Sequence, residues 1–309
     1  MATDSRPQAA RRAAPGHTTA RRLPPQLIAG AILVATSWPL AWFGPAPYSQ
    51  HTFFPLWLGY ILTVDGLVRL RTGTSLLSRG RLRFLGLFAA SIPLWWLFEG
   101  ANHFVQNWHY LSGFHAGPLE RILESSLDFS TVVPAIFETA ALYRSFAAFN
   151  RPICWFRIPL SRRGLALTAL AGVAFTVIAL AFPAQGFAYV WLALFVMLDP
   201  INALLGQRSI AGQLAHGRWD TVLVLFAAGI TCGIFWEMWN FYSMPKWYYT
   251  VPYVGFLKVF EMPILGYGGY LPFSLEVYAI YQTLHWLVTR RPDQYVRFDR
   301  PDGAATRAA

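Results

Sequence analysis

Long apolar runs separated by short, arginine-rich polar segments dominate the chain. A helix needs about 20 mostly apolar residues to cross the hydrocarbon core of a bilayer. Runs of that length predict an all-α, polytopic membrane protein with eight transmembrane helices. The predicted spans lie at 26–44, 52–71, 84–105, 129–149, 164–183, 186–206, 219–243 and 265–289.

The composition supports this interpretation. The 309 residues are 55% hydrophobic and only 13% charged, whereas a soluble domain carries about 25% charged residues. These values exclude a disordered chain, a secreted disulfide scaffold and an ordinary cytosolic enzyme. Cys154 and Cys232 are too few to form a disulfide framework or a cysteine-based metal site.

The net charge of +10 reflects topology. With both termini in the cytoplasm, all but three of the 25 basic residues fall on the inner side, the exceptions being Arg121, Lys246 and Lys258. This distribution follows the positive-inside rule. It predicts an integral protein of the plasma or inner membrane and does not indicate nucleic-acid binding.

The two halves of the chain repeat each other. Trp57 and Asp65 recur 134 residues later, and the pair Glu99 and Asn102 recurs at an offset of 138. Each half holds four predicted spans, so both copies enter the membrane in the same direction and form parallel repeats. The predicted segments are a basic tail (1–23), the first repeat (24–150), the second repeat (151–290) and a polar tail (291–309).

Six carboxylic acids fall within the predicted spans, with no lysine or arginine in the middle of a span to neutralise them. Charged groups at membrane depth are costly and mark function by default. Because residues at i and i+3 share a helix face, we expect one acid–amide–acid cluster in each half. The predicted catalytic residues are Glu99, Asn102, Glu138, Glu237, Asn240 and Glu276. Asp65 and Asp199, near the inner helix ends, are expected to be structural.

The alternative is that these groups only hydrogen-bond between helices, as polar side chains in membranes often do.

Aromatic side chains beside the acids would bind an apolar substrate, although a W-x-Y motif at the outer boundary also suits an interfacial aromatic belt. The predicted substrate-binding residues are Trp96, Trp108, Tyr110, Tyr143, Trp236, Trp239, Trp247, Tyr249 and Tyr281. Residues 118–127 and 254–260 are expected to form short interfacial helices or loops.

Several of these motifs resemble a known family. Glu99 at the end of a helix, Trp108-His-Tyr110 and Pro134-Ala-Ile-Phe-Glu138 have counterparts in the second half, which adds Glu261-Met-Pro263. This pattern resembles the integral-membrane lycopene cyclases of bacteria, archaea and fungi, which are also built from two related halves. This chain departs from that family in lacking its P-x-E-E element and in having four predicted spans per half instead of three. The resemblance implies cyclisation of an isoprenoid; a flavin or nicotinamide can take part in the family, but no binding motif for either is visible here.

Three functions remain open from the sequence. The first is an intramembrane acid/base enzyme, cyclase- or isomerase-like, acting on an isoprenoid or carotenoid lipid, in which a neutral carboxylic acid protonates an olefin. The second is a proton-coupled transporter, and the third is a non-catalytic membrane scaffold. The expected partner is a membrane lipid or isoprenoid substrate; cofactor and oligomeric state are left undetermined.

Overall fold

The computed structural model describes residues 22–112 and 117–299, and these are predominantly helical. The helices in the described residues are α1 (Pro25–Phe43), α2 (Phe53–Thr72), α3 (Leu76–Arg79), α4 (Arg81–Val105), α5 (Pro118–Phe129), α6 (Val132–Arg144), α7 (Arg162–Ala181), α8 (Pro183–Gly186), α9 (Ala193–Leu204), α10 (Ile210–Ala215), α11 (Asp220–Phe241) and α12 (Tyr270–Thr289). Single 3-10 turns cover Tyr48–His51, Phe187–Trp191 and Ile264–Gly269.

Five helices are long and apolar enough to cross a membrane, namely α1, α2, α4, α7 and α11. The segments Pro183–Trp191 and Ala193–Leu204 meet at a bend of 44° and together would make a sixth. The described chain thus has the helices of a multi-span membrane protein, and each of the eight predicted runs contains helix.

Two predicted spans differ from the helices found there. The run 129–149 holds only the 13-residue α6, about 20 Å long at 1.5 Å per residue. The run 265–289 begins as a 3-10 turn, and its helix α12 carries Glu276, Gln282 and several tyrosines. The 13-residue α6 is shorter than the five spans, and the 20-residue α12 is long enough but less apolar than they are.

Burial explains why these two helices are short or polar. Nine consecutive residues of α6, Val132–Ala140, and ten of α12, Phe273–Gln282, are buried. The first packs against α2, α4 and α11, and the second against α4, α9 and α11. A helix enclosed by other helices contacts little lipid, so packing rather than hydropathy selects its side chains. By contrast, α7 is peripheral, with Gly172 and Ala179 its only buried residues.

A two-stranded antiparallel ribbon joins the two halves. Strand β1 (Trp108–Leu111) follows α4, and β2 (Lys246–Tyr249) follows α11. A second, minimal ribbon pairs β3 (Lys258–Val259) with β4 (Met262–Pro263). Of the two alternatives for 254–260, the helix is not found and the segment is a loop that contains β3, whereas 118–127 lies within α5.

The C-terminal segment packs onto the bundle. Tyr295, Val296 and Phe298 are buried, and the Tyr295 hydroxyl donates to the Leu76 carbonyl at 2.6 Å. Asp293 is also buried and accepts from the Tyr295 and Val296 N–H groups at 2.8 and 2.9 Å. The polar composition of 291–309 gave no signal for this packing, and residues 300–309 lie outside the described part of the chain.

Candidate functional site

The ribbon of β1 and β2 brings the two W-x-Y motifs side by side. Trp108 pairs with Tyr249 and Tyr110 pairs with Trp247. The Trp of each motif therefore lies opposite the Tyr of the other, and the pairing stays the same if the two strands are exchanged. Because alternate residues of a strand share a face, all four side chains lie on one side of the ribbon. His109 and Tyr248 form the central pair, with their rings 5.2 Å apart.

Glu99 lies beneath the first motif and is held through a single oxygen. Its Oε1 accepts hydrogen bonds from Trp95 Nε1 at 2.9 Å, Trp108 Nε1 at 3.1 Å and the Tyr110 hydroxyl at 2.6 Å. The Glu99 side chain is half-buried, and Tyr110 is 48% exposed. Three donors on one oxygen stabilise negative charge there.

Glu237 has the equivalent environment beneath the second motif. Its Oε1 accepts from the hydroxyls of Tyr249 at 2.7 Å and Tyr270 at 2.8 Å, and more weakly from Trp247 Nε1 at 3.4 Å. Glu237 is fully buried, and its Oε2 has no hydrogen-bond partner among the described residues. Burial, together with the adjacent Glu237 carboxylate, raises the pKa of Tyr249, so this hydroxyl remains a donor.

The third donor differs between the two sites. The offset of 138 that relates Glu99 to Glu237 places Gly233 at the position of Trp95. A Cβ at Gly233 would lie 2.3 Å from Cδ2 of Tyr270, so the missing side chain makes room for that ring. Tyr270 thus replaces Trp95 as the donor. Neither residue is predicted from the sequence: Trp95 is one of two adjacent tryptophans, of which Trp96 is the predicted one, and Tyr270 has no aromatic counterpart in the first half.

Asn102 and Asn240 anchor the ribbon and make no hydrogen bond to the carboxylates. The Asn102 amide donates to the Trp108 carbonyl at 2.8 Å and accepts from the N–H groups of Asn107 and Trp108 at 2.9 and 3.2 Å. Asn240 binds both backbone groups of Trp247, at 2.7 and 2.8 Å. These asparagines therefore set the position of the W-x-Y strands over the helix ends.

The other two predicted acids lie elsewhere. Glu276 Oε1 accepts from the N–H groups of Leu194 and Phe195, at 2.9 and 3.4 Å, in the first turn of α9. Glu138 is fully buried without a donor among the described residues, and its charged neighbours are Asp65 and Arg79. The expected acid–amide–acid cluster is not formed, because the acids of α6 and α12 serve different neighbours from those of α4 and α11.

Asp65 and Asp199 bind the starts of short helices. Asp65 accepts from the Leu77 N–H at 2.9 Å and from Gln26 Nε2 at 3.0 Å. Asp199 accepts from the N–H groups of Ile210 and Ala211, both at 2.7 Å. Both acids thus satisfy helix N–H groups that have no partner within the helix, which agrees with a structural role.

The remaining predicted aromatic residues lie outside the two carboxylate sites. Trp96 Nε1 donates to Ser126 at 3.0 Å, and Tyr143 hydrogen-bonds Thr231 at 2.8 Å. Tyr281 packs on Phe137 with ring centroids 5.1 Å apart. The rest form the aromatic core around Trp57, whose centroid lies 4.9 Å from that of Trp236 and 5.0 Å from that of Trp239.

Glu261, the acid of the motif that occurs only in the second half, is neutralised by a lysine. Glu261 forms an ion pair with Lys246, which also donates to the Phe241 carbonyl at 2.9 Å. This pair ties the segment after β2 to the end of α11.

Comparison with protein families, curated proteins and solved structures finds no match to this chain.

Proposed function

We propose that the protein is an integral membrane enzyme of the acid/base type that acts on an isoprenoid or carotenoid lipid, with Glu99 as its working carboxyl group and Glu237 as the equivalent carboxyl group that supports the ribbon. One observation carries the proposal: two equivalent carboxyl groups are each held through one oxygen by three aromatic N–H or O–H donors. Packing alone does not require two costly acids at the ends of apolar helices.

The proposed reaction is an isomerisation without net redox change. Glu99 in its protonated form adds its proton to one carbon of a C=C bond, and the neighbouring carbon becomes a cation. The three donors to Oε1 stabilise the carboxylate that remains. A second C=C bond of the same chain supplies the electron pair for a new C–C bond, which closes a ring. A carboxylate then removes a proton from the adjacent carbon and restores a C=C bond, so the product has the mass of the substrate.

The surroundings of Glu99 suit this chemistry better than those of Glu237. Tyr110 and Trp96 are 48% and 37% exposed, and Gly100 and His103, which lie beside Glu99 on the same side of α4, are exposed as well. An apolar chain can therefore approach Glu99 from the bilayer, and the aromatic faces would stabilise a cation. In this proposal Glu99 and Tyr110 contact the substrate, while the enclosed Glu237 supports the ribbon.

The proposal includes the full membrane architecture. Eight spans form two parallel repeats related by a pseudo-twofold axis along the membrane normal, which passes through the pair of His109 and Tyr248. Three features support it: the exchange-symmetric ribbon, the paired carboxylate sites and the paired acid caps of α3 and α10. The positive-inside bias places both termini in the cytoplasm.

The test uses membranes from cells that express the protein, incubated with lycopene or a shorter linear isoprenoid and extracted for liquid chromatography with mass spectrometry. We expect a product of unchanged mass and altered retention. Glu99→Gln should reduce its formation at least about 100-fold, as general acid–base groups contribute 10²–10⁴. Glu120→Gln, on the exposed side of α5, is the matched control and should retain activity. Full activity of Glu99→Gln, or no product from any substrate, contradicts the proposal.

A proton-coupled carrier is a second candidate, favoured by the broken span. The 44° bend between α8 and α9 leaves the N-terminus of α9 inside the bundle, where it binds the Glu276 carboxylate. Discontinuous helices of this kind form ion and substrate sites in secondary transporters. A pH-driven solute flux into proteoliposomes that is abolished by Glu276→Gln, but not by Glu99→Gln, would establish this function. No solute flux, together with unaltered lipids, would leave the scaffold.

A further inference from the structure

An open, positively charged groove lies at the end of the bundle opposite the ribbon. It consists of two adjoining cavities of about 320 and 480 Å³, which share Pro25 and Arg69. The first is also lined by Arg22 at the start of α1, and the second by Arg81 at the start of α4. The groove therefore lies where α1 and α4 begin and α2 ends.

The three arginines have no acidic partner among the described residues. Arg69 donates only to Gln26 Oε1, at 3.5 Å. The acid nearest to this contact, Asp65, is already occupied by Gln26 and by the backbone N–H of Leu77. Three guanidinium groups around one groove, with no carboxylate to balance them, form a site for an anion.

The edges of the groove are apolar and face the bilayer. Leu23, just before α1, is 58% exposed and Ile28 on α1 is 48% exposed; on α4, Leu82 is 86% and Leu85 is 59% exposed. An anion bound at Arg69 and Arg81 would thus have hydrocarbon-contacting side chains directly beside it. This combination suits a phosphate that carries acyl chains.

The second half of the chain does not reproduce this groove. The offset of 134 replaces Arg69 by Ala203. Near the start of α11, Arg218 is neutralised by Asp220 at 2.8 Å. The general positive-inside bias puts basic residues on this side of both halves, but within the described residues the second half lacks the counterpart of Arg69.

We propose that this groove binds the phosphate headgroup of an anionic phospholipid of the cytoplasmic leaflet, with its acyl chains along α1 and α4. Basic pockets between membrane helices bind such headgroups by this combination of charge and apolar contact. The site is separate from Glu99 and Glu237, and the proposal does not depend on the enzymatic function.

The test measures lipid retention by native mass spectrometry of the full chain in detergent, with phosphatidylglycerol, phosphatidylcholine or inorganic phosphate added. We expect phosphatidylglycerol to remain bound and phosphatidylcholine to dissociate. The double variant Arg69→Gln/Arg81→Gln should lose roughly 30-fold in affinity, from two charges near the membrane surface. Arg162→Gln/Arg163→Gln, which removes two exposed charges at the start of α7, should bind like the wild type.

Equal retention by the two double variants, or equal binding of both lipids, overturns the proposal. Inorganic phosphate that binds as tightly as phosphatidylglycerol would show that the acyl chains contribute nothing, and also overturns it. Arg81 makes no hydrogen bond or ion pair within the described residues, so Arg81→Gln alone tests the site in case the double variant fails to fold. Arg69→Lys/Arg81→Lys should restore most of the retention.

Discussion

The glutamates beneath the ribbon show how one residue is stabilised in apolar surroundings by directed donors. Glu99 receives two indole N–H groups and one hydroxyl, while Glu237 receives one indole and two hydroxyls. The number of donors is conserved between the sites although their chemical identity is not. Each donor therefore matters more for its position than for its residue type.

The close contact at Gly233 gives a test at this scale. Gly233→Ala should displace the Tyr270 ring, remove a donor from Glu237 and lower the free energy of unfolding by about 1–3 kcal/mol, the usual cost of overpacking. Gly100→Ala is the control: no atom lies within 4 Å of its added Cβ, and alanine favours a helix. Thermal unfolding in detergent would compare them, and equal stability of the two variants would show that Tyr270 is not held as described.

The asparagine anchors give a second test. Asn102→Asp removes the amide donor to the Trp108 carbonyl and places a charge in a buried position, so we expect a loss of about 1–3 kcal/mol. Asn240→Asp should behave in the same way because it loses the donor to Trp247. Asn150 is exposed, and Asn150→Asp should leave the midpoint of thermal unfolding unchanged. If Asn102→Asp matches this control, the asparagine does not anchor the ribbon.

Among the elements, α5 has the clearest division between polar and apolar sides. Leu119, Ile122, Leu123 and Leu127 are all exposed, and the helix is at most partly buried at any residue, Asp128 among the partly buried ones. Its Glu124 pairs with His51 at 3.0 Å, and the neighbouring Asp128 accepts from the backbone N–H of Phe54 at the start of α2. These acids hold one side of the helix against the bundle and leave its leucines free for the membrane interface.

The contact of α5 with α2 should depend on pH. Burial, with a smaller contribution from Glu124, raises the pKa of Asp128 from 3.8 to about 7. The folded state thus holds this proton more tightly than the unfolded state, and the resulting stabilisation, complete below pH 3.8, is lost as the pH rises through about 7. The unfolding midpoint of the wild type should fall over this range relative to that of Asp128→Asn. A constant difference would be inconsistent with a buried Asp128, and Glu120→Gln, at an exposed position, should leave the slope unchanged.

At the scale of the whole molecule, the sequence predicted features that depend on the local pattern better than it predicted contacts between residues far apart in the chain. Hydropathy located helix in all eight runs, and the W-x-Y motifs proved to meet Glu99 and Glu237. The choice between Trp95 and Trp96 depends on the rotation of α4, which turns by about 100° per residue, and an aromatic run leaves that rotation unspecified. The occupation of the space above Gly233 by Tyr270, and the packing of Tyr295, depend on residues far apart in the chain.

The number of membrane spans depends on whether the two enclosed helices α6 and α12 cross the bilayer. If α6 crosses the membrane, Cys154, which is exposed, lies on the opposite side from Leu111. If α12 crosses, Arg291 lies opposite Tyr253, which is 72% exposed.

Labelling with a membrane-impermeant maleimide would test both helices. The native Cys154 serves as one reporter, and Leu111→Cys, Tyr253→Cys and Arg291→Cys serve as the others in a Cys154→Ser background. Cys232 is buried and stays in place. In intact cells we expect labelling at positions 111 and 253 only, with 154 and 291 reacting after permeabilisation. Labelling of Cys154 in intact cells would show that α6 does not cross, and labelling at both 253 and 291 would show the same for α12. Either result alone would leave an odd number of spans, so the two repeats would no longer be parallel. It would also conflict with the positive-inside bias, which requires both helices to cross the bilayer.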